Sequence, residues 1–401
     1  MHTKAIHLIV LMCTLSHSGF GGSRVAIALY ALDRGASQLT IGVLMALYAV
    51  VPLFLAVHVG RLADRVGPRL PMLIGTGGVL VALLLPALMP TMPVLYLSAL
   101  VLGSTFHFFF ITVQGIAGGI GGSEHRARNF ALVGMGFSAA GFIGPFLAGL
   151  AIDHLGHVAA FWVLAAFPVI PTLMLLLRPG FLPKARKQSG AGGSRSAFDL
   201  WRIRGLRYTF IASAIISSAW DLFQFYFPVY GHSINLSASA IGAVLGVFAL
   251  ATFTIRVFLP PLALRYTEAQ IMTAGIFIAA VAFVLFPVFT NAYILGVIAF
   301  LLGLGVGCGQ PMSMSLIYAL APAGRAAECA GLRVTVNNFM HLLIPLFFGS
   351  IGTAFGYALV FFTNSALLVG GGVLMRKAPR GTVDPPPQPQ SATAAQKENA
   401  P

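Results

Sequence analysis

The sequence predicts an all-α membrane protein, with twelve membrane-crossing helices in two pseudo-symmetric six-helix bundles. Three observations predict it. The 401 residues are 58% hydrophobic and only 8% charged, against about 25% charged in a soluble domain. Polar surface is too scarce for water to surround the fold. Apolar runs of the ~20 residues needed to cross a bilayer recur along the chain. They lack the two-residue alternation of a barrel, so helices must satisfy the backbone in hydrocarbon. Finally, the chain repeats itself at a constant offset of 200 residues: Tyr30 and Tyr230, Ser37 and Ser237, Ile41-Gly42 and Ile241-Gly242, Gly75 and Gly275, Gly103 and Gly303, Pro145 and Pro345, Gly149 and Gly349. Many membrane carriers consist of two related halves with a substrate site between them.

Taken in order, spans one to six are expected at Lys4–Ala31, Leu39–Val59, Leu70–Met89, Pro93–Gly119, Phe130–Ile152 and Val158–Leu177. Lys4 and the apolar run after it imitate a signal peptide, but the run continues through Tyr30 without a polar break, so a retained first helix is expected. Spans seven to twelve are expected at Arg207–Tyr230, Ser239–Leu259, Ala269–Phe289, Ala292–Leu320, Glu328–Thr353 and Tyr357–Met375. This gives an N-terminal bundle (1–178), a linker rich in Gly, Ser, Arg and Lys (179–206), a C-terminal bundle (207–376) and a polar, proline-rich tail (377–401) expected to be disordered.

The net charge of +14 would suggest nucleic acid in a soluble protein. Here it sits in short loops and reads as topology, with no nucleic-acid partner. Arg61, Arg65 and Arg69, then Arg126 and Arg128, the linker, Arg265, Arg325 and Arg376-Lys377 fall in alternate loops. The other loops carry little beyond Asp33, Arg34, Asp153 and His154. Excess Lys and Arg mark the cytoplasmic side, so both termini are expected in the cytoplasm and the chain in the inner membrane. Cys13, Cys308 and Cys329 are odd in number and scattered, and imply neither a disulfide framework nor a thiolate metal site.

Between spans two and three runs Gly60-Arg61-Leu62-Ala63-Asp64-Arg65-Val66-Gly67-Pro68-Arg69. This loop resembles the signature of the major facilitator superfamily, and the resemblance covers about Lys4 to Arg376. Gly60 has no side chain, so another helix can approach closely, and Gly67 is a further glycine of the signature. The resemblance implies that Asp64 latches onto the positive start of span eleven, near Glu328–Arg333, when the outer side is open. Arg61, Arg65 and Arg69 would meet anionic headgroups and the latch; as a simpler alternative, they only set orientation. The second copy of the loop has Leu264 in place of the Asp, which suggests a one-sided gate. In span five, Gly141, Gly144-Pro145, Ala148 and Gly149 resemble the motif of proton-coupled drug exporters in the superfamily, with Ala148 where a second Gly is usual. Simple bundle packing is the alternative. Those exporters carry an Arg in span four where this chain has Ile111, so any proton coupling must use other residues.

Ionisable groups within spans are costly and default to functional roles. Arg24 in span one and Asp221 in span seven are offset by about one helical turn in the repeat register. They are expected either to form a charge pair or shared proton and substrate site, or to tie the halves together statically. Arg256 in span eight could instead snorkel to the interface. Gln224, Tyr226, His107, Gln114, Gln310, Asn337, Asn338 and His341 complete a candidate cavity with few formal charges, and the aromatic residues around it suit an amphipathic or aromatic compound. The expected function is a monomeric secondary transporter without cofactors, exporting such a compound against protons among membrane lipids. The alternatives are uptake of an organic anion through Arg24 and Arg256 and, less favoured, a soft-metal carrier using Cys308, Met312, Met314, Met340 and His341. The sequence contains no nucleotide loop, H-E-x-x-H or G-x-S-x-G, so no enzyme is expected.

Overall fold

The computed structural model describes residues 2–120, 123–177, 180, 182, 198–322 and 325–377. Its helices are α1 (His2–Asp33), α2 (Gln38–Val66), α3 (Arg69–Leu88), α4 (Met92–Gly119), α5 (Ser123–Leu155), α6 (His157–Leu177), α7 (Phe198–Trp201), α8 (Arg204–Ser233), α9 (Ala238–Ala263), α10 (Glu268–Leu285), α11 (Ala292–Gly307), α12 (Gly309–Leu320), α13 (Ala326–Phe355) and α14 (Tyr357–Arg376). Eleven helical stretches are long and apolar enough to cross a membrane, with α11 and α12 joined as one, and Gln38–Phe54 of α2 is a shorter apolar helix. The tail beyond 377 and most of the linker lie outside the described residues.

Several boundaries differ from the sequence expectation: α5 begins at Ser123 instead of Phe130, and α7 and the start of α8 fall within the expected linker. The tenth span is interrupted at Cys308, between α11 and α12. Pro311 explains the break, because it has no N–H to give to the carbonyl four residues back and its ring crowds that carbonyl. The signature loop is also mostly helix. α2 runs on through good helix formers to Val66 and ends only at Gly67, whose φ of 84° suits glycine, just before Pro68.

The internal repeat is visible as packing. Ser37 caps α2 by accepting from Thr40 N–H, and Ser237 caps α9 by accepting from Ala240 N–H. The Tyr30 hydroxyl donates to the Pro90 carbonyl at 2.8 Å, and Tyr230 to the Phe286 carbonyl at 3.0 Å. The halves meet where α5 packs on α9 and α13 on α2, with α1 and α8 touching between them. Any side chain on Gly42 would collide with the Pro345 carbonyl, and one on Gly242 with the Pro145 carbonyl. The two cross-half contacts are therefore copies of each other, each closed by a helix backbone fitting against a glycine.

A clasp joins the halves at the end of the bundle where α5 and α13 finish. The Asp153 carboxylate accepts from the Ala238 and Ser239 N–H groups at 2.9 and 2.7 Å, neutralising the free donors and positive pole of α9. In the repeat-related position, the Thr353 hydroxyl accepts from the Leu39 N–H of α2 at 2.9 Å. Tyr226 donates to Gln38 Oε1 at 2.6 Å beside it.

Candidate functional site

α8 is buried on nearly every face, as befits a helix on the axis between the halves. Asp221 sits on it, and its carboxylate contacts Nδ1 of His341 from α13. The Asp221 side chain is 5% exposed and that of His341 39%, so the imidazole is the accessible end of the pair. With the carboxylate ionised, Nδ1–H donates and Nε2 remains free to hold or release a proton. His107 belongs to α4, in the other half of the chain. Its Nδ1 is 2.8 Å from the Gly103 carbonyl. A carbonyl only accepts, so Nδ1 carries hydrogen and Nε2 is again the free nitrogen. Each imidazole thus keeps its Nε2 free of a protein partner, and His341 alone has a carboxylate behind it.

The other charges do not join this group as expected. Arg24 makes no ion pair among the described residues. Its guanidinium lies 5.9 Å from the centroid of the Tyr48 ring, and its buried Nε has no partner. The ion pair of Asp221 is with a histidine 120 positions away rather than with Arg24. Near Arg24 is an aromatic cluster: Phe20 stacks on Phe106 at 4.0 Å, and the His17 ring lies 5.2 Å from Phe106 and 5.1 Å from Phe137.

The remaining candidates divide. Asn337 stays on the polar face of α13, where its Oδ1 accepts from the Ser213 hydroxyl at 3.3 Å. Gln224, Gln114, Asn338 and Arg256 are half-buried, and Gln310 is exposed. Tyr226 belongs to the clasp instead of the site, because it is fully buried and its hydroxyl is committed to Gln38. Gly144 packs against the Ser18 carbonyl of α1, Gly149 against the Ala238 carbonyl of α9, and Gly141 faces Ala249, so the span-five motif serves close packing with α1 and α9. In the signature segment, the surroundings of Gly60 and the side chains of Arg61 and Asp64 lie outside what is described, and Arg65 is exposed. Arg69 is engaged at the end of α6. Its Nε and Nη2 donate to the Leu175 and Leu176 carbonyls at 3.1 and 3.2 Å, serving the carbonyl end of α6.

Three features escaped sequence reasoning. Asp153 and Thr353 are related by the 200-residue offset, and that register would have flagged them. Arg333 is 5% exposed and held by Ser213 and Ser313; its spacing of four from Asn337 and eight from His341 was the available signal. The third feature, pairing of Asp221 with a neutral-type residue, had no signal in the charges.

The Major Facilitator Superfamily model matches residues 9–345 and 209–401. The chain is 28% identical over 322 residues to the class D tetracycline resistance protein of Salmonella ordonez, covering 77% of this chain and 79% of that protein. It is 26% identical to the class G tetracycline resistance protein of Vibrio anguillarum, covering 78% and 80%. With the quinolone resistance protein NorA of Staphylococcus aureus it shares 22% identity over 87% of this chain and 90% of that one. The fold matches the nucleoside transporter NupG at a TM-score of 0.79 with 14% identity, over 94% of this chain and 100% of that one. It matches the human organic anion transporter MFSD10 at 0.66 with 17% identity, over 93% and 99%. The chain is a multi-pass membrane transporter of a small molecule, and it belongs to the major facilitator superfamily.

Proposed function

We propose that the protein exports an amphipathic or aromatic compound across the inner membrane in exchange for protons, with both termini in the cytoplasm. The carrying observation is the buried Asp221 carboxylate of α8 paired with the more accessible His341 imidazole of α13. An ionised Asp221 with a neutral His341 leaves one negative charge at the centre. Burying that charge in the occluded intermediate is costly. One proton on His341 turns the pair into a neutral ion pair, and a cationic group on the compound does the same. Proton and compound therefore compete for one charge, which is the physical requirement for antiport. With cytoplasmic termini, the clasp at Asp153 and Thr353 closes the outer end, so the pair is reached from the cytoplasm in this state. The names of the tetracycline and quinolone relatives support the direction.

A test uses oriented vesicles with an imposed pH gradient and labelled tetracycline and quinolone probes. Wild type should accumulate probe against its gradient, while Asp221→Asn and His341→Gln should retain only downhill exchange. Full gradient-driven accumulation by Asp221→Asn would refute the coupling. The unpaired Nε of Arg24 favours a second reading, in which the cargo is an organic anion taken up. Reversed direction in the same vesicles, abolished by Arg24→Gln, would select it.

A further inference from the structure

α13 carries Arg333, Asn337 and His341 at spacings of four, one face of a helix, against Ser213 and Asp221 of α8. At the upper rungs the partners match: Asp221 with His341, and Ser213 with Asn337. At Arg333 they do not. Its Nη1 lies 3.3 Å from each of the Ser213 and Ser313 hydroxyls. Those hydroxyls send their own hydrogens elsewhere, Ser213 to Asn337 Oδ1 and Ser313 to the Gln310 carbonyl. Both are therefore pure acceptors for the guanidinium and bring no negative charge. The Nε of Arg333 is buried with no partner, and the residue as a whole is 5% exposed. Among the described residues the ion pairs are Arg325–Glu328 and Asp221–His341, so neither neutralises Arg333.

An uncompensated buried guanidinium is unstable unless an anion joins it. The edge left free by the serines is the Nε–Nη2 side, whose parallel N–H groups fit the two oxygens of a carboxylate. The same helix that carries Ser313, α12, also carries Tyr318, whose ring is exposed. We propose that Arg333 anchors a carboxylate-binding site between α8, α12 and α13, taking a small, preferably aromatic, organic acid. It lies about 12 Å along α13 from His341, away from the clasp, and requires no particular direction of transport. The same chemistry has a second source in the chain itself, the carboxylate of Asp64, so the experiment must separate the two.

The purified full-length protein is titrated with benzoate, with neutral benzamide as control, following thermal stabilisation and heat of binding. Benzoate, and not benzamide, should stabilise wild type and Asp64→Asn alike. Arg333→Lys keeps the charge but loses the fork, and should bind benzoate about tenfold or more weakly, the factor expected for lost charge-assisted hydrogen bonds. Arg333→Gln should not bind it. Should Arg333→Gln fail to fold, Arg333→Lys decides. No benzoate effect on wild type, an undiminished effect in Arg333→Lys, or binding confined to Asp64→Asn would each overturn the proposal, the last by assigning the site to the chain's own carboxylate.

Discussion

Compare the two halves position by position. Gly42 and Gly242 meet prolines 345 and 145 of the opposite half in the same way, and Gly103 and Gly303 each press on the backbone of a neighbouring helix, at Tyr48 and Phe248. At the candidate polar positions the halves part. Asp221 stands opposite Gly21, His341 opposite Gly141, His107 opposite Gly307 and Arg333 opposite Val133. Each exchange sets a polar side chain against a residue with none. Duplication preserved the positions that let backbones approach and left the others free to diverge. The carboxylate of Asp221 lies in the C-terminal half, with no counterpart at Gly21 in the N-terminal one. A symmetric scaffold thus holds an asymmetric set of polar side chains.

The comparison can be broken first at the shared packing. Gly42→Leu and Gly242→Leu should each prevent closure of the clasped end, since overpacking costs about 1–3 kcal/mol. Both should nearly abolish transport and leave cysteines placed at Gln38 or Ala238 reactive to a membrane-impermeant thiol reagent. If only one of the two does so, the halves are not mechanically equivalent. The next test is the clasp itself, where the repeat is kept in geometry but altered in charge. Asp153→Asn removes a carboxylate from two helix-terminal N–H groups and should shift the open–closed balance by about 1 kcal/mol toward opening. Thr353→Val should shift it less, and Thr353→Asp should favour closure; spin-label distances across the clasp would measure all three. The smallest effect is expected from Tyr226→Phe, which strands Gln38 Oε1 and should lower the melting temperature by the loss of about 1 kcal/mol, with little change in ligand affinity. A large affinity change would return Tyr226 to the binding site.

Much of the fold was legible because membrane crossing leaves a coarse signal: long apolar runs, and glycines and prolines kept in register at Gly42, Gly149 and Pro145. The break at Cys308 was less legible, since a proline is tolerated in some membrane helices and breaks others. The site was legible only in part. Charges are conspicuous in apolar sequence, so Arg24 and Asp221 stood out and were paired by register. The actual partner, His341, is one polar residue among several on α13, and nothing local marks it as facing α8. Arg69 was read by its place in a motif, whereas its reach to the end of α6 depends on how α3 packs. Asp153 was read as a loop charge because its role exists only once α9 is brought to it.

The central claim, that proton and cargo compete for the single charge of the Asp221–His341 pair, is tested most directly by proton release. The purified transporter, in weak buffer with a pH indicator, is mixed with a tetracycline or quinolone probe that binds it. The account predicts that wild type releases close to one proton per probe bound and that Asp221→Asn releases none while still binding. Equal proton release from both proteins would contradict it.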